Sequence, residues 1–175
     1  MLAIKTLGIK AVLLMTLVFQ SQTCQSKSLW DLANENKDLL RISTLFTAQN
    51  VRDHLSTDEG INKAIDWCKK TGVTHVFIES YRGRYTADRK VLQHAKSRFA
   101  AEGFEVSGCV TTTGIGKIST GWGRVSCYTD EETKNKHQRI FEYTASIFNE
   151  IMIDDFLFFN CECDECVGTG QEIVG

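Results

Sequence analysis

The sequence predicts an α/β fold of parallel strands joined by helices, and three observations predict it. Apolar, β-branched segments begin near positions 41, 74, 104 and 150. Between them lie segments with apolar residues at helical spacing, and glycines or capping residues mark the joins. Strand, helix, strand at this spacing is the signature of parallel βαβ units, whose crossovers are right-handed. The strands are apolar on both faces, as helix-covered parallel strands are. A closed barrel and an open doubly wound sheet share this pattern, and periodicity does not separate them.

Each element has a local reason. Arg41 to Thr47 (RISTLFT) is rich in β-branched and aromatic residues and reads as a strand, with Asn50 to Leu55 as a loop. Ser56 and Glu59 form a capping box that opens a helix, and Ile61, Ala64, Ile65 and Cys68 give it an apolar face. Gly72 ends it in the left-handed conformation. His75 to Glu79 (HVFIE) is a second strand, and Thr86 opens a second helix with Leu92, Ala95 and Phe99 inward and Gly103 as its stop. Phe104 to Thr111 is a third strand. After a glycine-rich loop, Thr129 and Glu132 cap a helix through Ile140, Tyr143, Ile147 and Phe148, and Glu150 to Phe158 is a fourth strand.

Composition narrows the class. Hydrophobic residues make up 42% and charged residues 24%, which is globular and not disordered. A net charge of −2 with no basic run argues against nucleic-acid binding, since phosphate contacts need clustered Lys and Arg. At the N-terminus, Lys5 and Lys10 precede an apolar run from Ala11 to Phe19, followed by polar Gln20 to Gln22. That order is a secretory signal, and the run is short of the roughly 20 apolar residues of a membrane span. The chain is therefore expected to be exported, to the periplasm or the extracellular space. Cys24 offers an alternative, a lipid anchor of the outer-membrane lipoprotein kind.

The ends of the second and fourth strands carry a family resemblance. The fourth runs IMIDDFLFFNCECDEC, two acids after an apolar stretch, then aromatics, then cysteines; the second ends FIESYRGRY. Together they resemble the N-terminal half of (β/α)8-barrel glycoside hydrolases over about positions 41 to 167. The resemblance implies half of a TIM (β/α)8 barrel with a polar pocket at the C-terminal strand ends. Gln49, Asn50, Glu79, Tyr81, Arg82, Thr111 and Asn160 would line it, with an oligo- or polysaccharide as partner. It implies a catalytic carboxylate at the end of strand four, the place of Asp155 or Asp154. No organic cofactor is implied. A full barrel has eight strands in about 250 residues, and hydrolysis needs two flanking carboxylates. Four strands lead to the expectation of a truncated product, inactive by itself. The alternative is a non-catalytic carbohydrate-binding or surface protein.

The residues admit plainer readings as well. Asp154 and Asp155 are consecutive on a strand, so only one faces the barrel interior; either acid could instead pair with Arg82 or Arg84. Glu79 is a sugar-hydroxyl acceptor or a salt-bridge partner of a nearby Arg. Trp122 is a sugar-stacking platform or a loop anchor. The loop TTTGIGKISTGWG lacks a nucleotide-binding glycine pattern, and no G-x-S-x-G elbow or H-E-x-x-H pair is present. Cys161, Cys163 and Cys166 form C-x-C-x-x-C, which fits a structural zinc or a disulfide equally, with Cys127 or His137 within reach as a fourth ligand.

The organisation expected is a signal over 1–23, a linker over 24–40, the four-strand unit over 41–167 and a polar tail over 168–175. Bare first and fourth strands would invite self-association. Light scattering is expected to show a dimer or larger species, and a stable monomer would refute this.

Overall fold

The computed structural model describes residues 26–121, 123, 125–154 and 160–168. The segment 1–23 read as a signal, Trp122 and Asp155 lie outside the described residues. The order is α1 (Leu29–Glu35), β1 (Ser43–Phe46), α2 (Ala48–His54), α3 (Asp58–Thr71), β2 (His75–Arg82), β3 (Tyr85–Thr86), α4 (Arg89–Ala101), β4 (Glu105–Thr111), α5 (Glu131–Ala145), β5 (Ile151–Asp154) and α6 (Asp164–Gly168).

The sheet runs β1-β2-β4-β5, every neighbouring pair parallel, with the two-residue β3 folding back antiparallel on the end of β2. Strands therefore lie side by side in chain order. A doubly wound sheet needs a reversal of that order and helices on both faces, and neither occurs among the described residues. Val76 and Ile78 of β2 pack with Ile61, Ile65 and Cys68 of α3 and with Leu92, Ala95 and Phe99 of α4. Val106 of β4 joins the same core, and Val110 meets Ile140 and Phe141 of α5. Residues two apart on a strand share a face, so the main helices cover one face. This single winding of parallel strands accords with half a barrel and with an open sheet alike. The other face carries Leu45, Phe77, Glu79, Ser107, Cys109, Thr111, Met152 and Asp154.

The helix starts are shifted from the sequence reading by simple chemistry. The α3 cap is Thr57, not Ser56, and its hydroxyl accepts from the Gly60 N–H. Asp88 caps α4 in place of Thr86, which is drawn into β3, and Asp130 caps α5 in place of Thr129. The stretch read as a loop at 50–55 is mostly α2, closed by a box in which Thr47 and Asn50 each satisfy the other's backbone N–H. The linker region holds α1, with Trp30 stacked on Phe104 at 4.6 Å. Gly72 does end α3, at φ 71°.

Gly108 faces the helix layer where a side chain would not fit, because a Cβ there would stand 2.8 Å from the Phe148 ring. Gly108→Ala should therefore cost about 1–3 kcal/mol from overpacking, read as a lower urea midpoint; an unchanged midpoint would show that Phe148 has room to move.

Candidate active site

The C-terminal ends of β2, β4 and β5 bring together Glu79, Arg82, Thr111 and Asp154. Glu79 is fully buried. One of its oxygens accepts from the Ala48 N–H at 2.8 Å, at the first residue of α2. The other accepts from the Thr111 hydroxyl. Arg82 Nε donates to both, at 2.8 and 3.1 Å. A buried carboxylate with these donors is satisfied, as burial requires. The same guanidinium donates through Nη2 to Asp154. Arg82 and Asp154 are each about one-third open to solvent, at 28% and 31% of side-chain area.

A β-bulge makes this arrangement possible. Along β2 the register with β4 shifts between Glu79 and Tyr81, where Glu79 pairs Cys109 and Tyr81 pairs the very next residue, Val110. Ser80 is the additional residue, its hydroxyl bonded to the Cys109 carbonyl at 3.3 Å and to Thr144 of α5 at 2.5 Å. In a regular strand, residues three apart face opposite sides. The bulge adds one residue to the count and lets Arg82 return to the face of Glu79. It also turns Tyr81 away, so that Tyr81 packs on Val110 and Ile115. Tyr81 thus lines a different pocket, of about 310 Å³, with Arg84, Gly114, Gly116 and Lys136.

The other predicted contacts are placed as follows. The Asn50 side-chain oxygen closes the α2 cap, and Gln49 Nε2 donates to the Arg82 carbonyl at 3.2 Å. Asn160 receives the Ser119 hydroxyl on its side-chain oxygen at 3.0 Å, which joins the segment after β5 to the loop after β4. Both acids in the cluster are held by Arg82, the salt-bridge reading of each. The charge-assisted pair with Arg82 fixes the orientation of the Asp154 side chain. Cys109, beneath Glu79, has its thiol pushed up to about 12 by burial and by the Glu79 charge, so it is no nucleophile.

A second cluster lies beside this mouth. The sulfur atoms of Cys127, Cys161, Cys163 and Cys166 all fall within 4.8 Å of one another and could hold a metal ion. Cys127, one of the two fourth ligands expected, comes from the far end of the β4–α5 loop. His137 takes no part: its Nδ1 meets the Thr133 carbonyl at 2.9 Å.

Removing Arg82 leaves Glu79 buried and unpaired. Arg82→Met should destabilise the fold by about 3–5 kcal/mol, and adding Glu79→Met should recover most of that loss. Urea denaturation of the two single variants and the double variant measures the coupling; strictly additive losses would mean that the pair is not coupled.

The family model described as "Probable glycosyl hydrolase, catalytic domain" matches residues 26–171. The uncharacterized protein SSO3021 of Saccharolobus solfataricus is 31% identical over 142 residues, which cover 77% of this chain and 23% of the relative. The chain thus spans about a quarter of the length of the curated relative it matches. No solved structure matches it. With a catalytic-domain match running from α1 past the cysteine cluster, over residues 26–171, the chain belongs to the family of probable glycosyl hydrolase catalytic domains.

Proposed function

We propose that this chain supplies one wall of a site that cleaves glycosidic bonds in an extracellular polysaccharide, with Asp154 as its working carboxylate. The observation that carries the reading is the Arg82–Asp154 pair, about one-third open to solvent at the C-terminal strand ends of a glycosyl hydrolase family member. Arg82 donates to sugar hydroxyls as well as to Asp154 and fixes the orientation of the carboxylate. Glu79 is the positioning residue behind Arg82. It does not serve as the partner carboxylate, because it is fully buried and its oxygens are taken by Ala48, Thr111 and Arg82. Hydrolysis needs two carboxylates about 5–5.5 Å apart, or about 6.5–9.5 Å for inversion. The second must come from outside this cluster, so the chain by itself is proposed to bind saccharide and not to turn it over. Export through the basic and apolar segment at 1–23 fits a polymeric substrate outside the cell. Zinc is proposed for the four-cysteine cluster, as a structural ion with no part in bond cleavage.

The test is a titration of the full chain with oligosaccharides, followed by amide chemical shifts and by an aryl-glycoside assay. Binding should perturb Arg82 and Asp154, and Asp154→Asn should weaken it about tenfold, or about 1.4 kcal/mol. No binding by any saccharide, or glycoside hydrolysis undiminished in Asp154→Asn, would overturn the proposal.

A further inference from the structure

The described residues bury three apolar clusters, and the smallest is made of cysteine alone: Cys127, Cys161 and Cys166, with Cys163 packed against them. No aliphatic or aromatic side chain belongs to it. Yet it is where α6 meets the rest of the molecule. That helix has five residues, buries only Cys166 and leaves Val167 68% exposed. A helix this short does not persist without a tertiary anchor. Four neutral thiols are a poor anchor, since each is a small, weakly interacting group.

The geometry supplies the missing term. Cys127 Sγ lies 3.8 Å from Cys163 Sγ and 3.7 Å from Cys166 Sγ, and Cys163 and Cys166 are 3.3 Å apart. Four thiolates around one zinc at about 2.3 Å stand about 3.8 Å apart along the edges of the tetrahedron. A disulfide joins sulfurs at about 2.05 Å, and these cysteines are all free. The donor set is that of a closed structural site, with four protein ligands and no open position. The surroundings match. The Thr129 hydroxyl lies 3.2 Å from Cys127 Sγ and 3.0 Å from Cys166 Sγ, and the Thr120 hydroxyl lies 3.7 Å from Cys161 Sγ. Hydroxyls so placed donate to thiolates and orient them. The Cys166 and Val167 N–H groups turn back to the Cys163 carbonyl, at 2.9 and 3.0 Å, which brings the two sulfurs of this C-x-x-C turn to one side.

We infer that a tetrathiolate zinc, ligated by Cys127, Cys161, Cys163 and Cys166, is a clasp that fastens the segment after β5 onto the loop after β4. The inference rests on the zinc reading above and is independent of glycoside cleavage. Its polar neighbours follow the same seam: Ser119 to Asn160, the Glu162 N–H to the Thr120 hydroxyl at 3.0 Å, and Lys117 to Glu165 at 3.9 Å. Gly121 lies on that seam, where a Cβ would stand 2.0 Å from the Asn160 carbonyl oxygen. The clasp therefore fixes residues 160–168 against the loop after β4.

The test uses the full chain purified under reducing conditions. Elemental analysis should find about one zinc per chain, and Cys127→Ser should lower that about tenfold. Cobalt substitution of the unmodified chain should give the intense visible absorption of a tetrahedral thiolate site, so the result does not depend on a variant that folds. Hydrogen exchange should then accelerate about tenfold at residues 117–121 and 161–168 when a chelator removes the metal, with β2 unchanged. Metal below about a tenth of an equivalent, or a disulfide within the cluster, overturns both the zinc and the clasp. Iron in place of zinc overturns the choice of ion. Bound zinc whose removal leaves exchange unchanged at both segments overturns the clasp alone.

Discussion

The buried carboxylate of Glu79 sets the terms for the whole C-terminal edge of the sheet. An ion of this size loses several kcal/mol of hydration on burial, so it persists only among donors that replace water. Those donors come from different units: the N-terminus of α2, the end of β4 and the end of β2 itself. Through Arg82 the network reaches β5. Consecutive βα units are thereby fastened at one point, and Asp154 receives a fixed partner. A chemically plainer core would have bound the strands as tightly. It would not have placed a partly exposed acid and guanidinium side by side at the mouth.

The strands were readable because burial on both sides leaves an unmistakable apolar run, and their order follows from connections too short to skip a neighbour. Helix starts were readable only to within a residue or two. Thr57 and Ser56 are both competent caps, and the choice depends on which hydroxyl reaches the Gly60 N–H. The helix α2 was missed because its box closes with Asn50, where the familiar pattern asks for Glu or Gln. Glu79, Arg82, Thr111 and Asp154 are all legible as mouth residues, and pairing of each acid with an arginine is among their readings, but the sharing of one guanidinium by both acids is not. Pairing depends on the bulge, and no residue type at Ser80 announces one. The same hidden shift sends Tyr81 to another pocket. Cys127 and His137 are both legible as fourth ligands, and the fold decides between them by bringing Cys127 to the other three cysteines across more than 30 positions.

Two polar systems occupy opposite ends of the sheet face turned away from the main helices. At the C-terminal end stands the Glu79 cluster. At the N-terminal end His75 meets Ser107 at 2.9 Å, and Ser107 donates to Glu150 at 2.9 Å. The latter satisfies buried groups without opening a cavity, which is the behaviour of a stabilising end in folds whose chemistry sits at the other end. The division matches the family assignment. Apolar packing and hydrogen bonding secure one pole, leaving the other to carry the acids and the loops after the strands.

The bulge at Ser80 has a consequence for how such a protein evolves. What the bulge does is absorb one residue of length. Without Ser80, Tyr81 would stand one residue and Arg82 two residues beyond Glu79, and strict alternation would still keep the guanidinium on the Glu79 face and the phenol toward the helices. The same register therefore admits either reading length, whereas the letter at position 80 is constrained, because its buried hydroxyl ties the Cys109 carbonyl to Thr144.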